Sequence, residues 1–479
     1  MTWRASPLAS GLLLALGMFA CAPEVDPPPP PPPPVLDTQP PTVRLLTPGE
    51  GNELTVHHLF VRGALDDDQG VVGATWSLNG APPEDFTPSA AFTLEGRPRP
   101  GANHLRVEAR DAAGNTGMAE VRFTWGGSLA AGLSHSVVLR DGQVFTWGAN
   151  GSGQLGRPDT APTSPPQTVP GPGPCVAVVA GPSSTLVIQE DGSAWAWGAL
   201  PQGLVQTREN ASTPTRVETP GPVVGAALGT SHALVLLADG TVLATGTNTA
   251  GQLGLGTTEA TRALTPVPGL TDIIRVAVGT SHSVALRRDG TVLVWGDNRD
   301  GQLGQGDLDS TPHPEPLEVA HLGRVVDLTA GRDHVLVLEA EGRMRSWGLG
   351  TSGQLGHGHS GMLGSRAQPV EVLEVKDAVA LSANANVGFA LTAAGTLWAW
   401  GQNSNAQLGD GTLAERPRPI QVPGLAPVRA LGSGSQHTLA TTADGGLFVW
   451  GSNTHGQLGV PPPTEGSVRV VTPRPVTLP

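Results

Sequence analysis

The chain has 479 residues, 28 of them basic and 41 acidic, for a formal net charge of −13. That balance argues against a nucleic-acid surface, because phosphate contacts need clustered Arg and Lys and the only lysine is Lys376. Cys21 and Cys175 cannot build a disulfide framework, and the length allows two or three domains, one with a large core.

In chain order, the first element is an apolar run from Leu8 to Ala20 behind Arg4. It is long enough for a signal-peptide core and short for a membrane-spanning helix. It ends in Met18-Phe19-Ala20-Cys21, which resembles a bacterial lipobox. That resemblance implies cleavage after residue 20, lipidation of Cys21 and an outer-membrane or surface location, with the membrane met through the anchor alone. Residues 21–37 read as a tether, since the consecutive prolines Pro27 to Pro34 favour a stiff polyproline II rod.

Residues 38–126 change to short alternating segments separated by turn residues. Thr42–Leu46, His58–Gly63, Val71–Leu78, Ala91–Leu94, Asn103–Ala109 and Glu120–Trp125 are expected as strands. In Leu105-Arg106-Val107-Glu108-Ala109 apolar and charged residues alternate, as a half-buried strand requires. The spacing suits a β-sandwich, and PPTVRLLTP with GANHLRVEARDAAGN resembles bacterial Ig-like domains of surface proteins. Asp66, Asp67, Asp68, Asp111 and Asn115 are expected to form turns and not a calcium site, since no spacing completes a ligand set.

From residue 128 to 479 one unit recurs. Its turn glycines fall at Gly142, Gly192, Gly240, Gly290, Gly342, Gly395 and Gly445, with spacings of 50, 48, 50, 52, 53 and 50. A period of this size with short strands and Gly/Trp punctuation predicts a β-propeller. In the unit from Gly279, two alternating runs meet at Asp289-Gly290 as a β-hairpin, and a Pro-flanked strand follows at the edge. The chain end VRVVTPRPVTLP is expected to complete the first blade and close the ring.

The repeated SH start, DG turn, WG pair and GQLG turn are similar to the repeats of the regulator of chromosome condensation family. WG stands at Trp147, Trp197, Trp295, Trp347, Trp400 and Trp450, and GQLG begins at Gly153, Gly251, Gly301, Gly353 and Gly456. The resemblance implies an all-β chain with a seven-bladed propeller. Guanine-nucleotide exchange on a small GTPase is the activity best known in that family.

Residues repeated in nearly every blade are expected to serve packing: His135, His232, His282, His334 and His437, with the tryptophans above. Binding residues are expected where the repeat breaks, namely Ser184, Leu200, Gln202, Thr245, Asn384, Asn386 and Val387. Gly151-x-Gly153-x-x-Gly156 and Gly348-x-Gly350-x-x-Gly353 match a dinucleotide fingerprint formally, but no helix follows them. His357 with His359 lacks a third metal ligand, and Asp297, Asp300 and Asp307 mark one blade only. No cofactor, metal or catalytic constellation is expected. The reading is a non-enzymatic, lipid-anchored envelope protein whose propeller binds a protein or glycan, with an exchange factor or a propeller hydrolase or lyase as alternatives.

Overall fold

The computed structural model describes residues 37–158, 165–206, 210–463 and 468–479. The apolar leader, Cys21 and the proline run lie outside the described residues, as does the middle of the loop from Arg157 to Pro174. Gln39–Pro479 cluster as one compact unit. Among the described residues no helix is long and apolar enough to cross a membrane.

Thr42–Thr47, Leu59–Asp66 and Ala91–Gly96 form a three-stranded sheet. Glu53–Leu54, Val71–Leu78, Glu84–Phe86, Gly101–Asp111 and Thr116–Trp125 form a five-stranded one. The alternation in Gly101–Asp111 sets the register: Leu105, Val107 and Ala109 are buried, while Arg106 and Glu108 pair on the outside at 2.8 Å. Leu59, Val61 and Leu94 meet them from the other sheet, so the two sheets sandwich one core. Asp67 Oδ1 accepts the Gln69 N–H at 3.0 Å and Asp111 Oδ1 the Asn115 N–H at 2.9 Å, as turn residues do, and the fold also brings carboxylate oxygens of Asp37, Asp67 and Asp111 within 4.8 Å of one another, which the sequence spacing did not show.

Seven four-stranded antiparallel sheets follow among the described residues. Sheet one begins at Leu129, sheet two at Cys175, sheet three at Val223, sheet four at Ile273, sheet five at Val325, sheet six at Ala378 and sheet seven at Val428. Sheet four shows how a repeat makes one. Ile273–Val278 is innermost, His282–Arg287 and Val292–Gly296 form the hairpin, and His313–Glu318 lies outside. Gly290 takes φ +94°, which a residue with a Cβ rarely adopts, and Asp289 Oδ1 accepts the Thr291 N–H at 2.9 Å to fix the turn. Pro314 and Pro316 sit on the outer strand, where a missing donor costs nothing.

The innermost strands touch in succession, and Val428–Ser433 touches Leu129–Ala131, which closes the ring. The closure differs from the expectation. The last strand, Arg469–Val476, pairs with Leu447–Ser452 and completes sheet seven. Sheet one makes its own outer strand from Gln167–Thr168, because the long connection after Gly148 turns back against Phe145 and Thr146. The seam between sheets seven and one therefore carries no strand pairing: it is held by packing, by Trp147 Nε1 donating to Gln457 O at 2.9 Å and by Ser435 N donating to Gly132 O at 3.2 Å.

The sandwich covers one face of the ring, where the innermost strands begin. Trp125 is buried in the same core as Val224, Leu234 and Leu293, and Val56 in that of Val284 and Leu328. Trp125 Nε1 donates to Val56 O at 2.9 Å, His57 N to Ile274 O at 3.2 Å and Arg275 Nη1 to Thr55 O at 2.8 Å. Arg324 pairs with Glu95 and lies over the Phe60 ring.

Candidate functional site

The innermost strands run from the covered face to the opposite, open face. They enclose an axial channel with a cavity of about 660 Å³. Thr55, Trp125, Gly126 and Gly127 line it from the sandwich side, so that end has a floor. Its walls are unlike. Sheets one to three contribute mainly small apolar side chains such as Ala130, Val179, Ala226 and Leu228. Sheets five to seven contribute Thr329, Ser382, Asn384, Ser433 and Ser435, with Arg332 near the open mouth.

The polar wall is cross-linked between sheets six and seven. Ser382 Oγ and Ser433 Oγ are 2.6 Å apart, Asn384 Nδ2 donates to Ser433 O at 3.1 Å, and Ser435 Oγ donates to Asn384 Oδ1 at 3.3 Å. Asn384 occupies the place where the other sheets carry Gly132, Gly181, Gly229, Gly279, Gly331 and Gly434. In those sheets the glycine makes room for the side chain three positions on. A Cβ on Gly279 would stand 2.1 Å from the His282 ring. Sheet six has the smaller Val387 there, paired with Gly401 as His282 pairs with Gly296, and a side chain fits at Asn384.

The repeat-breaking residues separate into two groups. Ser184, Thr245 and Val387 are fully buried between sheets and present nothing to solvent. Leu200, Gln202, Asn384 and Asn386 lie on the open side, with Gln202 exposed and the others half-buried. Asn386 Nδ2 donates to Gln402 Oε1 at 3.4 Å. Leu133, Leu308, Met362, Leu363, Leu413 and Val460 also stand on loops of this face, and they are six of the eight large apolar side chains exposed among the described residues. Sequence reasoning missed these six, which occupy loops where the repeat varies most. It also missed Ser382 and Ser433, which a comparison of the residues just before each Gly-x-Ser-His start would have exposed.

The repeated histidines are all fully buried. Ser136, Thr185 and Ser283 each donate their hydroxyl to a glutamine main-chain oxygen, at 2.8, 3.0 and 2.7 Å. The hydroxyl proton is then in use, so Nε2–H of the preceding sheet's histidine must donate to it: His437 to Ser136 at 2.8 Å, His135 to Thr185 at 3.1 Å and His232 to Ser283 at 3.1 Å. Burial pushes His135, His232 and His334 down to about 4 and His282 and His437 down to about 3. They are neutral wedges between sheets.

The other motifs stay apart from the channel. His357 and His359 meet edge-on with ring centres 5.3 Å apart. Asp297 accepts Gln302 Nε2 at 3.2 Å, and Asp300 is raised by burial and by the nearby Asp297 charge. Asp307 uses its main-chain oxygen to accept Asn298 Nδ2 at 3.0 Å. Cys175 is buried as a free thiol, pushed up to about 11 by that burial, and is unreactive at neutral pH.

The family model described as RCC1-like domain matches residues 115–429, and the regulator of chromosome condensation repeat matches 428–457 and 444–479. The chain belongs to the RCC1-like domain family. The ring of four-stranded sheets is accordingly a propeller of this type. Over 99 residues it is 36% identical to the mitochondrial RCC1 domain-containing protein RUG3 of Arabidopsis thaliana, covering 20% of this chain and 22% of that protein. Over 103 residues it is 33% identical to the Ultraviolet-B receptor UVR8 of Arabidopsis thaliana, covering 21% of this chain and 23% of the receptor. The matches thus span about a fifth of these relatives' length. Yeast RCC1 (Prp20), in its crystal structure bound to Kap60, superposes with TM-score 0.59 and 25% identity over 65% of this chain and 79% of its own. In this RCC1-like chain the buried tryptophans and histidines belong to the framework, and the variation that could select a ligand is on the open face and the channel wall.

Proposed function

We propose that this is a non-enzymatic, lipid-anchored cell-envelope protein in which a seven-bladed propeller, held from beneath by an Ig-like sandwich, presents its open face to a protein or glycan. The observation that carries the reading is that six of the eight large apolar side chains exposed among the described residues stand on loops of that face, opposite the face the sandwich covers. A concentration of exposed large apolar side chains on one face of a folded protein favours that face for contact with a partner. The seven sheets and the succession of seven turn glycines support the blade number. The apolar run ending at Cys21 supports the anchor, and the proline run would hold the binding face off the membrane.

Two measurements test it. Metabolic labelling with a fatty-acid analogue should mark the wild-type chain and not Cys21→Ala. Crosslinking in intact cells should yield an adduct with the wild type that Leu308→Asp/Met362→Asp loses at unchanged thermal stability. An adduct indifferent to those substitutions would move the partner to another surface.

A further inference from the structure

We infer that the axial channel is a blind cup for an uncharged, hydroxyl-rich small molecule of mono- or disaccharide size, held by Asn384, Ser382 and Ser433. The inference rests on the reading of the open face as the binding face and names a ligand class for its centre. A cavity of about 660 Å³ is in the range of small-molecule sites, roughly 300–1,000 Å³. Thr55, Trp125, Gly126 and Gly127 of the sandwich stand at its covered end, which favours the open mouth as the way in and out.

The lining selects against charge. Among the described residues no Asp or Glu lines the cavity, and each of its two arginines faces a carboxylate outside it. Arg275 faces Asp327 at 3.5 Å and donates to Thr55 O, and Arg332 faces Asp333 at 3.3 Å. A carboxylate, phosphate or ammonium drawn inside would lose water and meet arginines whose charge Asp327 and Asp333 already offset. A neutral ligand avoids that cost.

The lining also selects for two-sided chemistry. Ser382 and Ser433 carry two hydroxyl protons, and the contact between them uses one. Asn384 donates one of its two amide hydrogens to Ser433 O, and its oxygen accepts from Ser435, which leaves a second N–H and a second lone pair. Spare donors and acceptors thus stand side by side on one wall, opposite the aliphatic wall of sheets one to three. A pyranose offers that pair of faces, hydroxyls on its edge and C–H groups on its plane. An extended peptide end would bring a charged terminus that the cup does not balance.

The full chain is titrated by calorimetry with glucose, galactose, N-acetylglucosamine and trehalose, and in parallel with trialanine and octanoate. At least one sugar should bind saturably, and trialanine and octanoate should not. Asn384→Gly restores the residue that six sheets already carry, so it should fold normally and weaken sugar binding about tenfold, the loss of one or two hydrogen bonds. Ser382→Ala should weaken it as well. No binding by any of the four sugars, equal binding by Asn384→Gly, or binding of trialanine alone would overturn the cup. Leu308→Asp/Met362→Asp separates the two readings: it should keep sugar binding while losing the crosslinked partner, and a wild-type chain that forms the crosslinked adduct but binds none of the four sugars would sink only the cup.

Discussion

Thr245 Oγ1 donates to Gln202 O at 2.7 Å, the bond that an indole N–H makes at each of the other six sheet boundaries. Trp295, for example, donates to Gln252 O and Trp450 to Gln407 O, both at 2.9 Å. The ring of inter-sheet bonds is therefore unbroken where the sequence appears to lose it. Leu204 and Val205 are buried beside Leu243 and supply apolar volume at that boundary.

That exchange predicts opposite behaviour from two substitutions. Thr245→Val keeps the shape and removes the donor, and should cost about 1 kcal/mol. Thr245→Trp restores the repeat but must fit an indole into a core already filled, and should cost roughly 1–3 kcal/mol. Urea unfolding of both against wild type measures this. A stabilised Thr245→Trp would show the boundary to be underpacked.

Sheet five offers a gain. The hydroxyl that serves the histidine of the preceding sheet is replaced there by Val335, and both ring nitrogens of His282 lack a hydrogen bond. Val335→Thr should let the new hydroxyl donate to Gln302 O and accept from His282, raising stability by about 1 kcal/mol. The neighbouring case should fail: at Gly388 a Cβ would lie 2.4 Å from the Trp400 ring, so Gly388→Ser should lower the melting temperature despite adding a hydroxyl. A rise with both substitutions would show Trp400 free to move.

The contrast between these sites explains what was readable in advance. Turn glycines, WG pairs and GQLG turns gave the repeat and its strands because period-two alternation and tight turns restrict residue choice locally. The closure of the ring was not readable, since it depends on whether the connection from Gly148 to Cys175 folds back to make a strand, and its composition does not say. Thr245 and Val387 look like candidate binding residues in one dimension, yet each fills a buried repeat position. Asn384 was flagged for its departure from glycine, but Ser382 and Ser433 gained meaning only when adjacent sheets brought their hydroxyls together.

The sandwich acts as part of the propeller's packing. Trp125 closes a core shared with sheets three and four and bonds to Val56 O. Trp125→Ala should cost about 3–5 kcal/mol and speed hydrogen exchange both at residues 53–58 and along Val223–Leu228. Exchange confined to the sandwich would show the two parts to be energetically independent.

Acid should loosen the ring before it protonates the carboxylates that hold its turns. The five repeated histidines, and His57 at the sandwich contact, are pushed to between about 3 and 4, below their ordinary 6.5, because burial disfavours the imidazolium. The unfolded chain binds these protons first, so the stability they contribute is complete above 6.5 and is lost as pH falls towards the folded values. Each group adds a slope of up to about 1.4 kcal/mol per pH unit across that window. Urea midpoints at pH 7, 6 and 5 should therefore decline, and more steeply between 6 and 5. His334→Val, the residue sheet six already carries, should remove one group's share of the slope. Burial raises Asp289 and Asp410, but hydrogen bonds outweigh it, from Thr291 to Asp289 and from Arg416, Thr412 and Asn403 to Asp410; Thr442 and Gly446 do the same for Asp444, so these carboxylates sit below their usual range and their contribution is lost only at more acid pH. A midpoint flat from pH 7 to 5 would mean that these imidazoles are hydrated and that the boundaries between sheets admit water.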